Sequence, residues 1–579
     1  MVVLSAGGKE QGDTTPPGRR GLILGVDTGG TFTDFVLFDP AATPMLRVHK
    51  VLSTPQAPEQ AILQGIRELG LSDHSDLVVV HGSTVATNAV LEGKGVRTVF
   101  ITNHGLGDLL TLGRQARREL YRLNPAPVPP PVPRELCLET GGRLDADGAV
   151  LEELTEAALA DLHRQLQALA PRAVAINLLF SYVDDRFEKR IAAAVPEGMF
   201  VSRSSAILPE YREYERGITT WLNASVGPLV EGYLQRLIAG IPRARLAVMQ
   251  SAGGTIEAEQ AGAEAVHMLL SGPAGGLAGV QWVAQRAGCQ RLLSFDMGGT
   301  STDVALLADA TADELPLTTE GRIGHYPVGV PMVDMHTIGA GGGSIARVDA
   351  GGLLQVGPES AGADPGPACY GRGGREATVT DANVVLGRLR PQAFLGGGMA
   401  LDVDAAQQAV ARVAQALGLS GEAAAQGIVD VANEHMARAL RVMSVQRGVD
   451  PRQLTLACFG GAGGLHVCAL AEALGMTQAL VPIHGGVLSA LGMLAAPRAR
   501  FLSLTINRLL DEVDEADLAA EFETLGERGR QALLREGVAA DGLVLRPTVD
   551  VRYRGQSYAI NLPWQGSRET GAAFHARHQ

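Results

Sequence analysis

One octapeptide occurs almost twice in this chain. Asp27-Thr-Gly-Gly-Thr-Phe-Thr-Asp34 and Asp296-Met-Gly-Gly-Thr-Ser-Thr-Asp303 agree at six of eight positions and lie half a chain apart. Each copy follows an apolar run (22–26 or 292–295) and precedes another (35–38 or 304–307). Short apolar runs bounded by glycine read as strands, so both copies predict strand, glycine turn, strand. Such a repeat predicts two pseudo-equivalent lobes facing each other across a cleft. Two ordinary hairpins with turn-capping aspartates are the plainer reading.

The residue types point to phosphate. A glycine turn exposes amide N–H groups to phosphate oxygens without Cβ atoms in the way. Gly29, Gly30, Gly298 and Gly299 supply such turns, and Thr28, Thr31, Thr33, Thr300, Ser301 and Thr302 add hydroxyls. Asp27 and Asp296 at strand ends suit a metal-bound water or the ordering of an attacking group, with Asp303 beside them. Mg²⁺ favours one or two carboxylates plus phosphates and water. A third glycine loop, Gly460, Gly461, Gly463 and Gly464 around Ala462, follows an apolar run and suits close contact with adenine and ribose. A helix start on a crowded sheet explains it equally. His466 then meets the nucleotide or caps the loop. Gly272, Gly275 and Gly276 after Ser271 are a weaker phosphate-loop candidate.

Three further groups have two readings each. His81, Thr84, Thr87 and Asn88 line a substrate pocket at a helix start, or form a polar first turn. Asp334 and His336 share one face of an extended segment, and Cys369 sits in a proline-rich loop. Together they make a Zn²⁺ site with an open position, or a buried thiol and a hydrogen-bonded turn histidine. Glu213-Tyr-Glu-Arg216 reads as a solvated helix face or a site, and Arg114, Arg117 and Arg118 as a solvated face or a contact with a partner subunit.

Alternating strands and helices give an α/β class. The expected division is a disordered tail at 1–20, lobes at 21–205 and 206–499, and a partial α+β domain at 500–579 that looks cut short. Net charge is −13, which argues against a nucleic-acid polymer as partner. No apolar run in the sequence spans a membrane, and residues 1–20 lack a signal-peptide core. Five cysteines without framework spacing fit the cytoplasm.

The glycine turns resemble those of the actin-like ATPases, whose ribonuclease H-like lobes enclose an ATP cleft. The fuller wording is similar to one branch, the hydantoinase A/5-oxoprolinase family, which includes N-methylhydantoinase A and the ATP-using subunits of acetone and acetophenone carboxylases. It rests on the two octapeptides, His81-Gly-Ser-Thr-Val-Ala-Thr-Asn88, Glu213 to Arg216, His336-Thr-Ile-Gly-Ala-Gly-Gly-Gly-Ser344, Gly362-Ala-Asp-Pro-Gly-Pro-Ala-Cys-Tyr-Gly371 and the 459–466 loop. The resemblance implies ATP- and Mg²⁺-dependent opening of a cyclic amide such as hydantoin or 5-oxoproline, or carboxylation of a ketone. It also implies a hydantoinase B-type subunit in a hetero-oligomer. A small-molecule kinase and a non-catalytic actin-like regulatory subunit are the alternatives. After Tyr182 the family's Asn-Pro-x-His-Glu is replaced by Asp184-Asp185-Arg186-Phe187-Glu188.

Overall fold

The computed structural model describes residues 1–6, 21–54, 56–116, 121, 123–124, 129–312, 314–394 and 398–578. It is a mixed α/β protein built on two matching sheets. The first runs Leu46–Leu52, Phe32–Phe38, Ile23–Thr28, Val78–Ser83, Arg245–Met249, with Thr255–Glu257 added outside. The second runs Met335–Ile338, Thr302–Leu307, Leu292–Met297, Thr455–Phe459, Ala479–Leu480. In both, the central strand pairs antiparallel with its hairpin partner and parallel with the strand on its other side. The outer strands also match, antiparallel beyond the hairpin and parallel on the far edge. The duplicated octapeptide therefore marks a duplicated sheet. The division expected at 205–206 is not the division between these sheets, because the first takes strands from beyond residue 240.

Four parallel strands between Thr98 and Arg203 form a smaller sheet. The long helix Glu213–Gly240 packs beside it. There Arg216 is buried rather than solvated, donating to Asn177 Oδ1, Ser204 Oγ and the carbonyls of Leu178 and Glu210. Glu188, from the segment that departs from the family wording, is buried in the same network and accepts from Leu178 N, Ser204 Oγ and Ser205 N.

The expected N-terminal tail is in part a strand. Val2–Ala6 lies between Ala499–Leu502 and Leu543–Val551 in an antiparallel sheet. Its apolar residues Val2, Val3 and Leu4 are buried there, a run too short to suggest an element without partners 500 residues away. Residues 7–20 lie outside the described residues, as do Arg117 and Arg118.

Two helices join the lobes. For reference, α1 is Val85–Leu91, α2 Ser271–Ala287 and α3 Leu488–Ala495. α2 and α3 cross so closely that a Cβ on Gly492 would lie 1.9 Å from the Gly275 carbonyl oxygen and 2.4 Å from Gly279 N. Only glycine lets two helix backbones approach this far. A shared core forms around the crossing: Ile23, Val36 and Val80 from the first sheet, Leu292, Leu307 and Ala457 from the second, and Leu277 and Met493 from the helices.

Overpacking this crossing should destabilise the whole molecule. Gly492→Ala is expected to cost about 3 kcal/mol and to lower the thermal unfolding midpoint. Gly421→Ala, where a Cβ meets nothing within 4 Å, should leave the midpoint unchanged; equal midpoints for both variants would contradict the packing argument.

Candidate functional site

The two hairpins have the same register. Asp27 pairs with Asp34 and Thr28 with Thr33; Asp296 pairs with Asp303 and Met297 with Thr302. Each turn is closed by a backbone bond, Gly29 N to Phe32 O at 3.0 Å and Gly298 N to Ser301 O at 3.1 Å. The turns meet tip to tip, since a Cβ on Gly299 would lie 2.9 Å from Thr31 Oγ1. The repeated segments, remote in sequence, thus form one site.

The carboxylates of that site crowd one another. Burial pushes the Asp27 carboxyl up to about 7, with Asp34 adding to the rise. Burial raises Asp296 well above the usual carboxylate range, and Asp303, Asp27 and Asp34 push the same way. Asp303 rises to about 6 through burial, opposed by a hydrogen bond donated by Thr337 Oγ1. Burial also raises Asp34, which Lys50 opposes from 2.7 Å away. Like charges in a poorly hydrated space favour protonation or a bound cation. Among the described residues no three His, Cys, Asp or Glu are arranged around one metal ion. A divalent ion here would use one or two of these carboxylates and take its other ligands from phosphate and water, as Mg²⁺ prefers.

Glycine segments complete the walls. A Cβ on Gly460, whose φ is +80°, would lie 2.2 Å from Asp296 Oδ1. That segment, a short helix over Gly460–Gly463, therefore starts directly on the carboxylate, and glycine suits its first residue. Gly461 and Gly464 face open space, as does Gly30, with nothing within 4 Å of a Cβ position. Gly463 turns inward against Phe295 and Cys458. Gly341, Gly342 and Gly343 back the second turn, with Gly342 N bonding Gly298 O at 2.9 Å and Gly343 N bonding Gly299 O. The start of α2 closes the floor: a Cβ on Gly272 would meet Asp27 Oδ1 at 3.0 Å. Ser489 of α3 hydrogen-bonds the same carboxylate.

Several expected ligands are committed elsewhere. Thr33 is fully buried, its hydroxyl 3.0 Å from Ser53 Oγ, which in turn donates to Gly29 O at 2.7 Å. It braces the turn from behind because strand alternation points it away from Asp34. Thr302 donates to Ala340 O and Thr28 is buried. Thr31 and Ser301 are half-buried and Thr300 is exposed.

His81 is fully buried, its ring nitrogens 3.2 Å from Val26 O and 2.6 Å from Tyr233 Oη. Burial lowers its pKa to about 4. It is a neutral core histidine and not part of a substrate pocket. Thr87 Oγ1 accepts from Leu270 N at 3.0 Å, tying α1 to α2. Thr84 donates to Thr28 O at 3.3 Å, and Asn88 is exposed. His466 is buried, and its ring nitrogen pairs at 2.7 Å with Asn433 Oδ1 of the helix Gly421–Met443.

The zinc set does not assemble. Asp334 is bound by the Arg447 guanidinium. The Cys369 thiol lies in an apolar cluster with Val384, Leu401 and Ala406. Burial, with Asp381 beside it, pushes that thiol far above its usual value. Asp381 accepts from the backbone of Ala368, Cys369 and Thr378 and fixes the loop structurally.

Comparisons agree with the geometry. The Hydantoinase/oxoprolinase family model matches residues 216–500, and the Hydantoinase/oxoprolinase N-terminal region matches residues 23–198. Caprolactamase subunit alpha of Pseudomonas jessenii is 36% identical over 96% of this chain and 83% of its own length. The crystal structure of ATP-dependent caprolactamase from Pseudomonas jessenii superposes with a TM-score of 0.80 at 34% identity, covering 96% of this chain and 84% of that one. The nucleotide-free structure of acetone carboxylase, from work on ATP-dependent acetone carboxylation, gives 0.78 at 29% identity with the same coverage.

A carboxyl whose pKa is higher folded than unfolded binds its proton more tightly when folded, so its ionisation opposes folding. For Asp27 the stability it contributes is lost as pH rises from 3.8 to about 7. Without metal or nucleotide, wild type should lose denaturant resistance relative to Asp27→Asn across that range. Parallel pH profiles for the two proteins would contradict the crowding.

Proposed function

Because this chain belongs to the hydantoinase/oxoprolinase family, we propose that it is the ATP-using subunit of an enzyme that opens a small cyclic amide. The observation that carries this reading is the contact of the two aspartate hairpins, which brings carboxylates and glycine turns from two halves of the chain into one site. An amide in a ring is a weak electrophile with a poor leaving group. Moving the terminal phosphoryl group of ATP to the carbonyl oxygen activates that carbon toward water. The ring then opens to a carboxylate and an amine, with ADP and phosphate released. Phosphoryl transfer needs positioning and charge stabilisation more than covalent help from the protein.

In this reading Thr31, Thr300 and Ser301 and the turn amides hold phosphate oxygens, and Gly460, Gly461 and Gly464 lie under the adenosine. Asp27 and Asp296 would hold the metal. Mg²⁺ would neutralise phosphate charge there. A cytoplasmic setting is supported by five free cysteines; among the described residues no helix is long and apolar enough to cross a membrane. A hydantoinase B-type partner in a hetero-oligomer fits a relative that is itself named a subunit. The likeness to acetone carboxylase favours a second reading, in which the same half-reaction activates a ketone or bicarbonate.

The test is ATP turnover by the chain with its cognate partner, offered caprolactam, hydantoin, N-methylhydantoin, 5-oxoproline, or acetone with bicarbonate. One cyclic amide should stimulate phosphate release and appear ring-opened. Bicarbonate-dependent turnover selects the carboxylase reading, and a stable phosphorylated product selects a kinase. Asp296→Asn should lower stimulated turnover by about a hundredfold or more; near-normal turnover in that variant would remove Asp296 from the chemistry.

A further inference from the structure

Lys50 occupies the cleft without belonging to any of the glycine motifs. It stands on the edge strand Leu46–Leu52 opposite Asp34, which is itself opposite Asp27. Residues paired across neighbouring strands share a face of the sheet, so Asp27, Asp34 and Lys50 form one row. The same face meets α3, since a Cβ on Gly25, two residues before Asp27, would lie 2.0 Å from Ala490 O. Lys50 Nζ is 2.7 Å from Asp34 Oδ1 and 3.3 Å from the Gly486 carbonyl oxygen. Gly486 lies in the turn that leads into α3, where neighbouring Gly485 rests on Phe459 of the second sheet. Lys50 thus reaches from one lobe to a segment seated on the other. An ammonium carries three donors, and Asp34 and Gly486 account for two of them.

Resting on the ATP reading above, we infer that Lys50 contacts the terminal phosphate of the bound nucleotide. Gly460 lies against Asp296 on the second-lobe wall, and Gly461 and Gly464 in the same segment face open space. A nucleotide with its base end over them reaches the first-lobe row with the phosphate farthest from the base. Charge requires a cation at that point. Lys50 is close enough to act on Asp27, Asp34 and Asp296 together, and a triphosphate placed among those carboxylates adds further negative charge. A charge-assisted hydrogen bond from a partly dehydrated ammonium is strong enough to discriminate a nucleotide with that phosphate from one without it.

Calorimetric binding of a non-hydrolysable ATP analogue and of ADP to the full chain, with Mg²⁺ present, tests this. Lys50→Met should weaken the ATP analogue about tenfold to a hundredfold and leave ADP within about threefold. Lys50→Arg should keep most of the preference for the triphosphate. Lys50→Gln, which retains an amide donor toward Asp34 without the charge, serves as a second variant if Lys50→Met fails to fold. Equal weakening of both nucleotides, or no weakening of either, overturns the inference and leaves Lys50 a counterion of Asp34. A wild-type chain that binds neither nucleotide removes the ATP reading itself, an outcome distinct from the loss of this contact alone.

Discussion

Everything in the cleft follows from carboxylates held closer together than water would place them. Asp27, Asp34, Asp296 and Asp303 come from two hairpins whose tips touch, and Lys50 is the cation in their midst. At an effective dielectric constant of 20, two charges 4 Å apart repel by about 4 kcal/mol. Such a cluster persists because the rest of the fold insists on it. The sheet registers fix each pair, and the shared core around α2 and α3 fixes the pairs relative to each other. Burial is the main cause of the raised carboxyl pKa values, and neighbouring carboxylates add to it at Asp27 and Asp296.

The helix crossing sets how the halves meet. With Gly275, Gly279 and Gly492 at the contact, α2 and α3 lie backbone against backbone, and their first turns both arrive at Asp27. Ser271 Oγ, at the start of α2, donates to Ser83 O at 2.9 Å and accepts from Ser83 N at 3.0 Å. The end of one sheet strand is thereby tied to the helix that leads to the other sheet. A shift of either helix moves a group in contact with Asp27, so lobe geometry and site geometry are one variable.

The repeat made the sheets and their aspartates legible because it encodes a whole hairpin, strand periods included. Side-chain roles inside it were less legible. Thr33 reads like Thr31 in the octapeptide, yet alternation sends it to the far face and onto Ser53. His81 is polar and stands before a helix, but its partners Val26 and Tyr233 are 55 and 152 residues away. Lys50 carries no motif; strand register alone places it beside Asp34. The zinc reading failed because Asp334 met Arg447, a pairing that sequence spacing does not contain. Val2–Ala6 reads as a tail for the same reason, since both of its neighbours come from the other end of the chain.

A chain of net charge −13 that takes a triphosphate needs a reason beyond overall attraction. The cleft supplies it locally. The backbone at Gly30, Gly461 and Gly464 faces open space and carries no side-chain charge. The aspartates make the site hospitable to a divalent cation, and a nucleotide brings its own. Anion and cation are then welcome together where either alone is opposed, the phosphate by the carboxylates and the bare metal because, among the described residues, no three ligands surround one ion. Binding the metal–nucleotide pair as a unit follows from that balance. Lys50 adds a positive charge to the row it shares with Asp27 and Asp34.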